Sequence, residues 1–222
     1  MGGADGRQAV APGPQSVIKS LMPPFSLAFV RTRLTPAPAL PLPPPDLAPA
    51  GVLVPLFEAG GELKLLFTQR TLTVKDHRGQ ISFPGGVRDS GDPDLLATAL
   101  RETSEEIGLA PQAAEVLGLL QPVATVTGYW IVPYVVAIPH PYDFRPNPQE
   151  VERLIFLPLQ GFCDPGRWTS GPYTYRGRET RVCCWRGEGT VVWGATARIL
   201  LELLDLLGEH PIPGDQEATC LD

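Results

Sequence analysis

Arg101, Glu102, Glu105 and Glu106 stand within one short stretch that stops at Gly108. If the stretch is a helix, spacings of three and four make neighbours, so the three carboxylates collect on one side. Packed that way they repel one another by roughly 0.2–0.5 kcal/mol per pair. They also approach the C-terminal end of the helix, where the dipole disfavours negative charge. A divalent cation is the economical reason to keep them, because Mg²⁺ and Mn²⁺ favour hard carboxylate oxygens. Arg101 precedes Glu105 by four residues and can hold that carboxylate in place. The plain alternative is a solvated acidic helix face.

The elements that would position these groups are legible on either side. Asp92 suits an N-cap and Pro93 the first helical position, where a missing N–H costs nothing. Gly108 suits the left-handed residue after a helix. Over residues 93–107, Leu96, Leu100, Thr103 and Ile107 form an apolar stripe with Ala99 at its edge. Upstream, Phe83-Pro84-Gly85-Gly86 reads as a strand end and a Gly-Gly turn.

This combination resembles the signature of the Nudix hydrolases, a Gly followed by Arg-Glu-apolar-x-Glu-Glu-x-Gly-apolar. Arg101, Glu102, Glu105, Glu106, Gly108 and Leu109 match its ending residue for residue. Thr103 replaces the usual apolar residue, and the loop from Gly86 to Arg101 is one residue longer than the common pattern. Asp92 stands where the family places a Glu early in that loop, and no role is transferred to it.

The full chain has 222 residues and a formal net charge of −6. That length holds one domain with a sizeable core plus tails. The negative balance argues against a nucleic-acid binder, whose footprint is a basic patch. No apolar run approaches the roughly 20 residues of a membrane span. The first residues lack the order of a signal peptide, and neither end carries a lipidation motif. Cys163, Cys183, Cys184 and Cys220 show no zinc or disulfide spacing, so free buried thiols and a cytoplasmic location are expected.

Residues 1–46 are expected to form a Pro-rich, partly disordered arm, with a short element near residues 26–34 packing on the domain. Residues 47–210 form the domain and 211–222 a tail. A strand over 51–57, in which Pro55 suggests an edge or bulge, turns at Gly60-Gly61 into a return strand to Arg70. Two strands are expected over 115–126 and 128–138, another from about 150, a hairpin around Gly177, and an amphipathic closing helix over 196–207. Strands before and after a central helix imply an α+β layered sandwich. The resemblance implies the same: a Nudix fold, an α/β/α layered sandwich with a mixed central sheet.

A second signal precedes the Gly pair. Leu65-Leu66-Phe67-Thr68-Gln69-Arg70, then His77-Arg78-Gly79-Gln80-Ile81-Ser82-Phe83-Pro84-Gly85-Gly86, resembles the extra motif of the coenzyme A diphosphatase branch. Lys75 falls where that branch commonly has Arg. Residues 146–151 and 192–197 also look like this branch. Coenzyme A carries a diphosphate and a 3′-phosphate, and Arg70, Lys75, His77 and Arg78 can supply positive groups for it. Gln80 joins this substrate-binding set or supports the turn.

The resemblance implies hydrolysis of the diphosphate of coenzyme A or its derivatives, with Glu102 and Glu106 holding Mg²⁺ or Mn²⁺, joined by the Gly86 carbonyl. Glu105 is a further ligand or orients water, and Arg101 positions the carboxylates. Glu150 and Glu152, after the long loop, are candidates for the general base. The other readings are a Nudix hydrolase of another diphosphate (ADP-ribose, a nucleoside triphosphate) and a silent Nudix-like ligand sensor. The partner expected is a small molecule, with no nucleic acid or membrane, on a monomer or homodimer.

Overall fold

The strand over Ala48–Ala59 (β1) alternates strictly: Leu53 and Phe57 face one side, while Val54 and Leu56 face the other. The same split runs through Glu62–Arg70 (β2), where Leu66 opposes Leu63, Leu65 and Phe67. In Tyr129–Ala137 (β7), Trp130, Val132, Tyr134 and Val136 oppose Val135. A sheet buried on both faces must carry apolar residues at both parities, which is why these segments read as nearly continuous apolar runs. These strands lie in a computed structural model that describes residues 25–34, 42–71 and 79–215.

The remaining strands of this sheet are Ile81–Ser82 (β3), Gly85–Val87 (β4), Glu115–Leu119 (β5), Val123–Ala124 (β6) and Val151–Pro158 (β8). Its main path is β3-β2-β1-β7-β5, with β4 on β1, β6 on β7 and β8 on β2. β1 and β7 run parallel, and the other pairings are antiparallel, so the sheet is mixed.

A helix over Leu95–Ile107 (α2) covers one face through Ala99 and Ile107. A helix over Gly194–Leu206 (α3) covers the other through Ile199, Leu200, Leu203 and Leu204. The expected three-layer α+β sandwich is therefore the observed one. A smaller sheet, built from Trp168–Tyr175 (β9), Arg178–Gly187 (β10), Thr190–Trp193 (β11) and Gly214–Asp215 (β12), adds Trp168 and Trp185 to the core on the α3 side. Both indoles are fully buried, and each N–H finds a carbonyl, that of Phe162 at 2.7 Å and Gly161 at 3.3 Å. The short helix over Leu27–Arg33 (α1), capped by Ser26, packs Val30 into the same core.

Three local expectations are corrected. Asp94 caps α2, its Oδ1 accepting from the Ala97 N–H at 2.8 Å, while Asp92 is buried and committed elsewhere. Pro55 sits in a central strand rather than at an edge or bulge. The β4 register ends at Val52 and the β2 register begins at Leu56, so the missing N–H falls in the gap between two partners. The segment read as one strand over 115–126 is two, β5 and β6.

Cys184 is disulfide-bonded, against the expectation of free thiols, while Cys163 and Cys183 form no disulfide. A single disulfide carries no spacing signature of its own. Among the described residues no helix is long and apolar enough to cross a membrane.

Candidate active site

The Gly-Gly turn and the acidic helix meet as backbone against carboxylate. The Gly85 N–H donates to Glu106 Oε2 at 3.1 Å. Gly85 has φ +140, and a Cβ there would lie 2.3 Å from the Gly51 carbonyl oxygen. Only glycine fits such a position. At Gly86 a Cβ would fall 2.4 Å from the Glu102 carboxyl carbon. The second glycine thus leaves a cradle that the carboxylate occupies.

The three glutamates lie on one side of the helix, as the spacing predicts, but do not share one environment. Glu106 is only 5% exposed, Glu102 is partly buried, and the Glu105 side chain is 57% exposed. Glu105 and Glu106 are separated by about 100° around the helix, with Glu102 between them. Glu106 turns in to the Gly85 backbone, while Glu105 stays out.

Burial pushes the Glu106 carboxyl up to about 8. The Gly85 N–H and Arg70 oppose this rise, while Glu150 and Glu102 add to it. Burial likewise raises Glu102, against the pull of Arg101.

Arg101 works through a buried anchor that no sequence reading assigned. Asp92 accepts from its Nε at 3.0 Å and its Nη2 at 2.9 Å, and also takes the Thr98 hydroxyl at 2.9 Å. The paired guanidinium holds Asp92 far below the usual carboxylate range. From that anchor Nη1 reaches Glu102 at 3.0 Å and Glu105 at 3.1 Å. The expected hold on Glu105 is present, with Glu102 held as well.

A cavity of about 660 Å³ opens beside these groups, lined among others by Glu102, Glu106, Glu150, Arg70, Gln80 and Gly86. Arg70 Nε is buried and has no hydrogen-bond partner among the described residues. A buried donor left open is costly, and an oxyanion in the cavity would satisfy it.

Glu150 reaches the same cavity from the opposite direction. The Asn147 N–H donates to the Glu106 carbonyl at 2.8 Å, and the Thr71 N–H to the Glu150 carbonyl at 3.0 Å. These bonds pin the loop between the end of α2 and the end of β2. Glu152 is exposed and does not line the cavity, and Glu105 does not line it either. Lys75, His77 and Arg78 lie outside the described residues.

The far wall, Thr125, Thr127, Tyr129 and Ile131 with Ala195 and Ile199 of α3, had no chemical signal in the sequence. Only the likeness of residues 192–197 to the coenzyme A branch pointed there.

The donor set suits a hard cation. Glu102, Glu106 and Glu150 bring only carboxylate oxygens to the cavity, and the raised Glu106 lacks the compensating charge that an ion would bring. Among the described residues no three acidic, histidine or cysteine side chains already converge on one point.

A mixed sheet between two helices, with a glycine turn set against an acidic helix end, defines a Nudix-type sandwich. Residues 47–176 match the NUDIX domain family. The chain is 41% identical over 162 residues to the uncharacterized Nudix hydrolase NudL of Salmonella paratyphi B, covering 73% of this chain and 84% of that protein. The same protein in Salmonella enteritidis PT4 matches equally. Among solved structures, the Ap4A hydrolase of C. elegans in a binary complex aligns with a TM-score of 0.44 at 19% identity, over 50% of this chain and 80% of that one. The chain belongs to the Nudix hydrolase family. Members of this family generally use divalent metals such as Mg²⁺ or Mn²⁺.

Proposed function

We propose that the protein hydrolyses the diphosphate bond of coenzyme A or its derivatives, giving 3′,5′-ADP and 4′-phosphopantetheine or its acyl form. The observation that carries this reading is the meeting of Glu102, Glu106 and Glu150 with Arg70 in one cavity. The choice of coenzyme A rests on the stretch before the acidic helix. Gln80, Ser82, Phe83, Gly85 and Gly86 of that motif all line the cavity.

In this reading Glu102 and Glu106, with the Gly86 carbonyl, would hold the divalent ion. Such an ion, when bound, withdraws charge from diphosphate oxygens and makes a bound water more acidic. Arg70 uses its open Nε–H to grip a diphosphate oxygen. Glu150 stands opposite α2 and takes the proton of the attacking water on its carboxylate, as a general base must lie within reach of that water. Gln80 donates to the substrate beside Arg70. Arg101 is a positioning residue, fixing Glu102 while Asp92 fixes Arg101. Glu105, exposed and off the cavity, is left out of the ligand set. Lys75, His77 and Arg78 remain proposed contacts to the substrate's phosphates.

A turnover panel with Mg²⁺ or Mn²⁺ tests this, comparing coenzyme A, an acyl-coenzyme A, ADP-ribose and a nucleoside triphosphate. The coenzyme A species should show the highest kcat/KM. Faster turnover of ADP-ribose than of every coenzyme A species would reject the substrate. No turnover of any diphosphate would reject the hydrolase.

A further inference from the structure

Asn147 does not line the cavity, yet every polar group it owns is engaged beside it. The residue falls in the loop between β7 and β8, shortly before Glu150. Its N–H donates at 2.8 Å to the Glu106 carbonyl, one of the last carbonyls of α2, which have no partner within the helix. Arg145 does the same for the Ile107 carbonyl, also at 2.8 Å. The Asn147 carbonyl accepts from the N–H groups of Glu150 at 3.0 Å and Val151 at 2.8 Å. The backbone of this one residue thus joins the end of α2 to the start of β8.

The side chain divides its two ends between backbone and carboxylate. Oδ1 accepts from the Gln149 N–H at 3.1 Å, an Asx turn. Nδ2 donates to Glu150 Oε1 at 3.4 Å. Only this orientation of the amide suits both neighbours, because a backbone N–H can only donate and an ionised carboxylate can only accept. That is the one hydrogen bond of the Glu150 carboxylate among the described residues, and it leaves Oε2 unengaged.

Aspartate or serine would complete the same turn at this position, since each accepts from a backbone N–H. Only the amide also carries a donor for Glu150. A glutamate side chain is free to take many rotamers, and holding it in one geometry before the reaction is how positioning contributes to rate.

We propose that Asn147 is a positioning residue for the hydrolysis. Its side-chain amide fixes the Glu150 carboxylate through one oxygen and leaves the other for the proton of the attacking water. Its backbone N–H holds that base at a set place relative to Glu106. The inference rests on the reading of Glu150 as the general base.

The test uses two variants of the full chain. Asn147→Asp keeps an acceptor for the Gln149 N–H and every backbone bond, and removes the donor to Glu150. Asn147→Ser does the same without adding a charge beside the base. Kinetics are read with Mg²⁺ and whichever diphosphate of the panel the wild type turns over fastest, so that rejection of coenzyme A leaves the test intact. Both variants should lower kcat on the order of tenfold, with KM and Tm close to wild type. An unchanged kcat in both overturns the inference.

The same substitution in a Glu150→Gln background separates positioning from a structural role. If Asn147 acts through Glu150, Asn147→Asp should cost nothing further there. Losses that multiply would reveal an effect independent of Glu150 and overturn the inference. Near-normal turnover of Glu150→Gln alone rejects Glu150 as the base, and this inference falls with it. A large loss in Glu150→Gln beside normal Asn147 variants rejects the inference and spares the base.

Discussion

The cavity side of α2 and its solvent side handle charge in opposite ways. Glu106 is buried, with a single backbone donor and a carboxyl raised to about 8. Glu105 keeps its charge exposed and off the cavity. Burial makes a charge expensive and its interactions strong, whereas exposure leaves it cheap and screened. The first region should therefore respond to substitution steeply and the second gently.

The steepest expected effect is at the buried acid. Glu106→Gln keeps an oxygen for the Gly85 N–H but loses the negative charge. It should lower kcat/KM by about 100-fold or more without lowering thermal stability. Steady-state kinetics beside a melting curve checks this, and near-normal turnover would remove Glu106 from the chemistry.

The glycine pair gives the next contrast. Gly86→Ala pushes on the movable end of Glu102 and should weaken Mn²⁺ binding by roughly tenfold or more with little change in Tm. Gly85→Ala meets backbone at a positive φ and should instead lower Tm markedly. Titration with Mn²⁺ and a melting curve on both variants separates the two. Similar profiles would mean that Gly86 serves the turn and not the carboxylate.

Asp92→Asn should loosen Arg101, and through it Glu102, weakening Mn²⁺ binding by roughly tenfold. Metal affinity unchanged beside a lowered Tm would make Asp92 purely structural.

A pH effect follows from the raised acid. Glu106 titrates near 8 in the metal-free fold against an ordinary carboxylate value of 4.5. The folded chain therefore binds this proton more tightly than the unfolded chain does. Its contribution to stability is intact below about 4.5 and is lost as pH climbs to 8. The metal-free Tm of Glu106→Gln should thus pull ahead of wild type across that window, and Mn²⁺ should close the gap at the upper end. A gap that shrinks with rising pH without metal contradicts a buried, uncompensated Glu106.

Much of the fold was readable because its signals are local. The Gly60-Gly61 hairpin, the stop at Gly108 and the apolar period of α3 depend on residues a few positions apart. Pro55 misled for the opposite reason: whether its missing N–H costs anything depends on where two other strands begin and end. Asp92 and Asp94 are equally good caps by type, and Arg101, by engaging Asp92, decided between them.

By itself the sequence determined the chemistry on offer: an arginine, three glutamates at helical spacing and a glycine turn before them. It could do so because residue type and short-range period are properties of the chain alone. Tertiary structure decided which glutamate is buried, that Glu150 faces it from a distant loop, that Arg70 is left with an open donor, and that Asn147 joins that loop to the end of α2. Those outcomes turn on contacts between segments far apart in the chain, and no local pattern encodes them.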